Sequence, residues 1–446
     1  MDSQPTEDRT GTLVPTRRTF LTMALLMMSL TTETASADFP SFNKDETKVP
    51  QYTLPDALMF KDGSRVATTA DWTNKRRLEL LDLFQEHVYG KAPTIWTPYS
   101  VVEELVDREA LDGKATRKQI TIEFAGDENK SQVQVLIYLP NKVESPAPVF
   151  FGLNFGGNHT VHRDPGILLC KSWIENDAGG GVVNNRANDK ARGGSRGRWP
   201  IDLILDRGYG LVTVYYGDID PDFDDGFKNG VHRLLHGAEK KQRSPNDCGS
   251  IGAWAWGIRM VVSLLVADPD IDAKKIAIMG HSRLGKTALW AGAQDRRIAL
   301  VVSNNSGCGG AALSRRRFGE RLIHINTNFP HWFCENFRGY NEREADLPVD
   351  QHMLISLVAP RPVYVASAKE DNWADPRGEF LAAKAAEPVY ELFGKEGLGV
   401  ADMPEADTPV GGCIGYHLRG GGHDVTEYDW KQYLDFADRQ FAEIQP

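Results

Sequence analysis

The chain has 446 residues, 41% hydrophobic and 25% charged, the profile of a water-soluble globular protein with material for a large core. Its 51 basic and 61 acidic residues leave a net charge of −10, which argues against nucleic acid as a partner and requires any acidic ligand to be met by a local basic cluster. Five cysteines (Cys170, Cys248, Cys308, Cys334, Cys413) make an odd count with no C-x-x-C or His/Cys ligand spacing, so no structural zinc is expected and at least one thiol stays free.

The first 37 residues read as a signal peptide. Arg17-Arg18 precede Phe20-Leu21 and an apolar run to Leu30, and Ala35-Ser36-Ala37 supplies a small-residue cleavage site. The paired arginines resemble a twin-arginine signal, and the apolar run is too short to span a bilayer. Residues 38–446 are therefore expected to form one exported catalytic domain, periplasmic or extracellular, without membrane contact after cleavage. No other run reads as a membrane span.

From Asp38 to about Val101 the chain reads as an N-terminal wrap with an amphipathic helix over Trp72–Val88. Lys118–Phe124 and Gln132–Leu139 alternate apolar and polar residues, as half-exposed antiparallel strands do. Pro146–Asn154 is a buried strand running into the turn Phe155-Gly-Gly-Asn-His159. Thr160–Trp199 is long and irregular, with a basic run from Arg186 to Arg198, and suits either a solvated loop or an active-site rim. Gly208–Tyr216 is a further strand. Asp218, Asp220, Asp222, Asp224 and Asp225 follow it with calcium-like spacing, but the glycine and glutamate of an EF-hand loop are out of place, so no metal is expected. A helix over Ala253–Ala267 and strands over Lys274–Met279, Arg297–Ser303 and Arg361–Ser367 continue a strand–helix alternation. That alternation implies a mostly parallel sheet covered on both faces.

Ile276-Ala-Ile-Met-Gly-His-Ser-Arg-Leu-Gly-Lys286 is a buried strand, a tight turn and a helix start, the setting of a nucleophile elbow with Ser282 at its tip. The second glycine comes one residue later than in G-x-S-x-G. A serine needs a histidine base, and the base needs an acid to hold its tautomer. In the α/β-hydrolase order the acid follows a late strand and the histidine precedes the last helix. Lys369-Glu-Asp-Asn-Trp-Ala-Asp375 follows such a strand, and Asp371 is best placed, with Glu370 and Asp375 as neighbours. His423, after Gly420-Gly-Gly422 and before a helix over Glu427–Phe441, is the expected base, ahead of His417 and His281. The expected fold is an α/β-hydrolase, a three-layer sandwich with a mostly parallel central sheet.

Gly280-His-Ser-Arg-Leu-Gly-Lys286, Ser306-Gly-Cys-Gly-Gly310, Glu370-Asp-Asn-Trp-Ala-Asp-Pro376 and Gly421-Gly-His423 together resemble the bacterial glucuronoyl esterases of carbohydrate esterase family 15. The resemblance implies hydrolysis of esters between 4-O-methyl-glucuronic acid branches of glucuronoxylan and lignin alcohols, without metal or cofactor; a monomer is expected. It implies Ser282 as nucleophile, His423 as base, Arg283 as oxyanion stabiliser through its N–H and guanidinium, and Lys286, Glu320 and Trp373 as sugar-binding residues. Some members carry an acidic glutamate where this chain has Asn305, which cannot hold a charge, so the acid role falls to Asp371. Fungal members have a disulfide-bonded cysteine at His281, so that bridge is absent. An arginine beside the attacked carbonyl is worth about 3–4 kcal/mol as an oxyanion donor, against about 1 kcal/mol at most in a surface ion pair. The rival readings are an acetyl or feruloyl xylan esterase on the same fold, and a carbohydrate-binding protein that has lost activity.

Overall fold

The structure, a computed structural model, describes residues 41–92, 99–124, 132–143, 146–236 and 242–444. The predicted leader and residues 38–40 lie outside them. Ten strands among the described residues build one sheet: β1 (Tyr99–Ala110), β2 (Ala115–Phe124), β3 (Gln132–Pro140), β4 (Ala147–Asn154), β5 (Gly210–Tyr215), β6 (Ile271–His281), β7 (Leu300–Asn304), β8 (Val363–Ala368), β9 (Val410–Gly411) and β10 (Ile414–Arg419). Their spatial order is β1-β2-β3-β5-β4-β6-β7-β8-β10-β9. The pairs from β1 to β5 are antiparallel, those from β5 through β4, β6, β7 and β8 to β10 are parallel, and β9 closes the far edge antiparallel.

Alternation along the central strands separates two cores. Val149 and Phe151 of β4, Ile276 and Ile278 of β6 and Val363 and Val365 of β8 face one cluster, while Phe150, Ala277, Met279, Tyr364 and Ala366 face the other. Among the helices are α1 (Arg77–His87), α2 (Ser250–Ala267), α3 (Arg283–Gln294), α4 (Pro376–Ala385) and α5 (Glu427–Ala442). Helices α2 and α3 pack into the first cluster and α5, through Trp430, Tyr433, Leu434 and Phe436, into the second. This is the expected three-layer α/β-hydrolase sandwich. Helix α2, expected over Ala253–Ala267, is apolar and long enough to cross a membrane, against the expectation that no run beyond the leader reaches that length, but 72% of it is buried in the protein, as befits a core helix.

The antiparallel end departs from expectation. The wrap was expected to reach Val101, yet β1 begins at Tyr99, and nearly all its side chains are exposed, so the burial alternation that marks a strand is missing. Strand β2 was expected to be half-exposed and is almost wholly buried. The Thr160–Trp199 stretch lies over it: Gln119 donates to the Gly166 carbonyl at 2.9 Å and accepts from the Leu168 N–H at 2.7 Å. That stretch is mostly irregular, as expected, with short 3₁₀ turns and a two-residue hairpin, Val182–Val183 with Arg186–Ala187. All five cysteines are buried free thiols.

Helix α3 carries the elbow and is fixed from behind by Trp290, which is 1% exposed and stacks on Tyr89 with ring centroids 4.7 Å apart. Trp290→Ala should cost about 3–5 kcal/mol of stability, read as a lowered urea midpoint with unchanged slope.

Candidate active site

Ser282 joins β6 to α3 with φ 57° and ψ −127°, a backbone conformation costly for a residue with a side chain. Neighbours on both sides hold it there. The Ser282 N–H donates to the Asn304 carbonyl at 2.9 Å, and its carbonyl accepts from Gly285 and Lys286. A Cβ on Gly280 would lie 1.9 Å from the Leu284 carbonyl oxygen, and one on Gly285 would lie 2.9 Å from the Ser306 Cβ. The late second glycine is therefore set by packing of the first helical turn on the Ser306 turn. At the start of α3 the N–H groups of Arg283 and Leu284 have no intrahelical partner, which makes the elbow a site for developing negative charge.

His423 Nδ1 lies 2.6 Å from Asp371 Oδ2. The His423 ring is 4.5 Å from that of His281, the residue before Ser282, so the imidazole sits beside the elbow. Its loop is braced by Arg419 at the end of β10, which donates to the carbonyls of Gly420, Gly422 and Asp424 at 2.7, 2.8 and 2.6 Å and pairs with Asp429 of α5 at 2.9 Å. Asp371 is buried, and burial alone would raise its carboxyl. Hydrogen bonds from His423, from Asn305 Nδ2 at 2.7 Å and from the Ala374 N–H outweigh that and hold it below the usual range. Asn305, which stands where the resembling family has a glutamate in some members, thus donates to the Asp371 carboxylate.

The rivals have other tasks. His417 bridges Asp429 at 2.9 Å and Tyr364 at 3.0 Å inside the core. His281 Nδ1 is 2.6 Å from Asn304 Oδ1, and burial, reinforced by His423, drives its pKa down to about 3. Glu370 is exposed. Asp375 is ion-paired with Arg316 at 2.9 Å and caps α4 through the Gly378 N–H at 2.9 Å.

Lys286 and Glu320 are both buried and interact electrostatically. Burial lowers the lysine, against the pull of Glu320, and raises the glutamate to about 7, offset by Lys286 and Trp373. Lys286 Nζ also donates to the Ser306 carbonyl. Trp373 is half-buried, its carbonyl accepts from the Glu320 N–H at 2.9 Å, and its ring meets Phe42 edge-on at 4.8 Å. The three residues expected to bind sugar therefore lie together. Arg283 pairs with Asp222 and remains 27% exposed. No group of three or more metal-type side chains occurs among the described residues.

Sequence reasoning missed Glu379, which is fully buried under the Ser306 turn. It accepts from Ser367 Oγ at 2.6 Å and the Gly307 N–H at 2.9 Å, and burial raises its pKa to about 8. Its place on α4 gives no sign in one dimension, because the turn it supports is some seventy residues away, as the 72-residue separation from Gly307 shows.

Comparison with known proteins adds to this geometry. A family model described as "Glucuronyl esterase, fungi" matches residues 239–394, which include Ser282, Glu320 and Asp371 but not His423. "Carbohydrate esterase MZ0003", from an unknown prokaryotic organism, is 50% identical over 401 residues, covering 90% of this chain and 92% of the relative. The chain belongs to the glucuronoyl esterases of carbohydrate esterase family 15. A solved glucuronoyl esterase from Solibacter usitatus is similar at 48% identity and TM-score 0.83, covering 89% of this chain and all of that one, as 100%. "4-O-methyl-glucuronoyl methylesterase 1" of Wolfiporia cocos is 36% identical, covering 80% of this chain and 74% of its own. Members of the family are carboxylic ester hydrolases, as the sequence resemblance implied.

Two outcomes test the site. Asp371→Asn should lower kcat by about 10³–10⁴-fold on an activated ester, because the amide no longer holds the imidazole tautomer or steadies its positive form. Glu379, raised from 4.5 to about 8, contributes stability that is fully present below pH 4.5 and is lost as pH rises through about 8. Glu379→Gln should flatten that fall, measured as urea midpoints across the same range.

Proposed function

We propose that this chain hydrolyses esters of 4-O-methyl-glucuronic acid, freeing glucuronoxylan branches from lignin alcohols. The observation that carries the reading is the 2.6 Å contact between His423 Nδ1 and Asp371, beside a serine held at φ 57°. With Nδ1 donating to Asp371, the other ring nitrogen, Nε2, is the atom available to take the Ser282 proton.

In the proposed mechanism Ser282 Oγ attacks the uronate carbonyl while His423 accepts its proton. The Arg283 N–H, the α3 terminus and the Arg283 guanidinium stabilise the oxyanion. His423 returns the proton to the departing alcohol, which leaves Ser282 acylated. Water then attacks the acyl carbonyl while His423 takes its proton, and that proton goes back to Ser282 Oγ as the acyl–oxygen bond breaks and the uronic acid departs as its carboxylate. Lys286, Glu320 and Trp373 bind the sugar, Lys286 supplying positive charge beside the uronate on a chain whose net charge is −10. The buried Lys286–Glu320 pair presents donor and acceptor together, which suits vicinal sugar hydroxyls. The protein is exported and acts as a monomer without metal or cofactor.

Ser282→Ala should abolish release of methanol from methyl glucuronate while leaving the near-UV circular dichroism unchanged. Full activity in that variant ends the proposal. Wild-type rates on methyl glucuronate should exceed those on acetylated or feruloylated xylan, and the reverse order favours the other esterase reading.

A further inference from the structure

The acidic run after β5 has no part in the triad, yet one of its members reaches the active site. Asp222 is 6% exposed, and four donors converge on its carboxylate. Tyr216 Oη donates to Oδ2 at 3.0 Å, beside the Arg283 guanidinium. His331 Nε2 and Trp332 Nε1 meet Oδ1 at 2.8 and 2.6 Å. Burial alone would raise this carboxyl, but His331, Arg283 and Trp332 hold it below its usual range, so it stays charged.

The guanidinium is confined in a second direction by aromatic faces. Its central carbon lies 4.8 Å from the Trp332 ring centre, 5.5 Å from that of Phe155 and 5.8 Å from that of Phe329. Trp332 is itself backed by Phe329, stacked at 3.8 Å with 5° between planes. A free arginine has many rotamers, and ordering it during the reaction would add to the barrier. Here the carboxylate holds one Nη of the guanidinium and three rings flank it, while the side chain of this residue, adjacent to Ser282 in the chain, stays 27% exposed.

We propose that Asp222 is the positioning residue for Arg283: anchored by Tyr216, His331 and Trp332, it sets the guanidinium in place for the oxyanion before substrate arrives. The role rests on the assignment of Ser282 and Arg283 made above. Asp222 touches neither substrate nor the reacting atoms, and it acts through the arginine alone.

A double-mutant cycle on methyl glucuronate hydrolysis tests this, using wild type, Asp222→Asn, Arg283→Ala and the double variant. Asp222→Asn puts an amide where the carboxylate was and should lower kcat by about a hundredfold with little change in KM, the scale expected for a misaimed catalytic group. In the Arg283→Ala background the same substitution should cost less than about threefold, since the group it positions is gone. Equal losses in both backgrounds, or an unchanged kcat in Asp222→Asn, overturn the proposal. Should Asp222→Asn fail to fold by thermal melting, Trp332→Phe replaces it in the cycle, removing one anchoring donor while keeping an aromatic face. Its loss in kcat should likewise vanish without Arg283, and a loss that persists overturns the proposal. Ser282→Ala keeps the two readings apart. An active Ser282→Ala removes the serine mechanism itself, whereas an inactive one beside a fully active Asp222→Asn removes only the role of Asp222.

Discussion

Gly280 lies under the first turn of α3 so closely that a methyl group there would stand 1.9 Å from the Leu284 carbonyl oxygen. That approach lets β6 turn directly into a helix, and the turn forces Ser282 into the left-handed region. The strain persists because both flanks are over-determined: behind, α3 is wedged by Trp290 against Tyr89, and beside it Asn304 of β7 accepts the Ser282 N–H. The sheet, in this sense, exists to hold one residue in a conformation it would leave if released.

Around that serine the protein keeps several carboxyl groups out of water, and their surroundings separate them. Asp371 stays charged because His423, Asn305 and Ala374 all donate to it. Glu379 lies nearby with no cation hydrogen-bonded to it, and burial together with the charge of Asp371 lifts it to about 8. Glu320 falls between them at about 7, held by Lys286. The carboxylate beside the imidazole is thus the one that the ring itself, an amide and a backbone N–H hold in its charged form. Asn305 belongs to this pattern: an amide beside Asp371 adds a hydrogen bond to the charged form, where a second carboxylate would have opposed it.

Much of this was legible in one dimension. The elbow, the late strand ending at Asp371 and the glycine-flanked His423 are local patterns, and each appears where the chain order of the fold requires it. The parallel strands were legible because each is a short apolar run buried on both faces. Strand β1 was not, since its exposed side chains carry no alternation, and β2 read as half-exposed because its cover, the loop through Gly166 and Leu168, comes from a distant part of the chain. The anchoring of Arg283 was hidden for the same reason. Asp222, His331 and Trp332 are separated from it by tens of residues, and a run of aspartates viewed alone suggests a cation from solution rather than one from the protein's own helix.

The loop that carries His423 is rich in glycine, yet it is not left to itself. Arg419 grips three of its carbonyls from the end of β10 and is in turn held by Asp429 of α5, so the ring's location is dictated from the sheet and the last helix. The loop's own side chains are therefore released from any duty of support. Natural variation in those side chains can thus proceed without moving the imidazole proposed as the base.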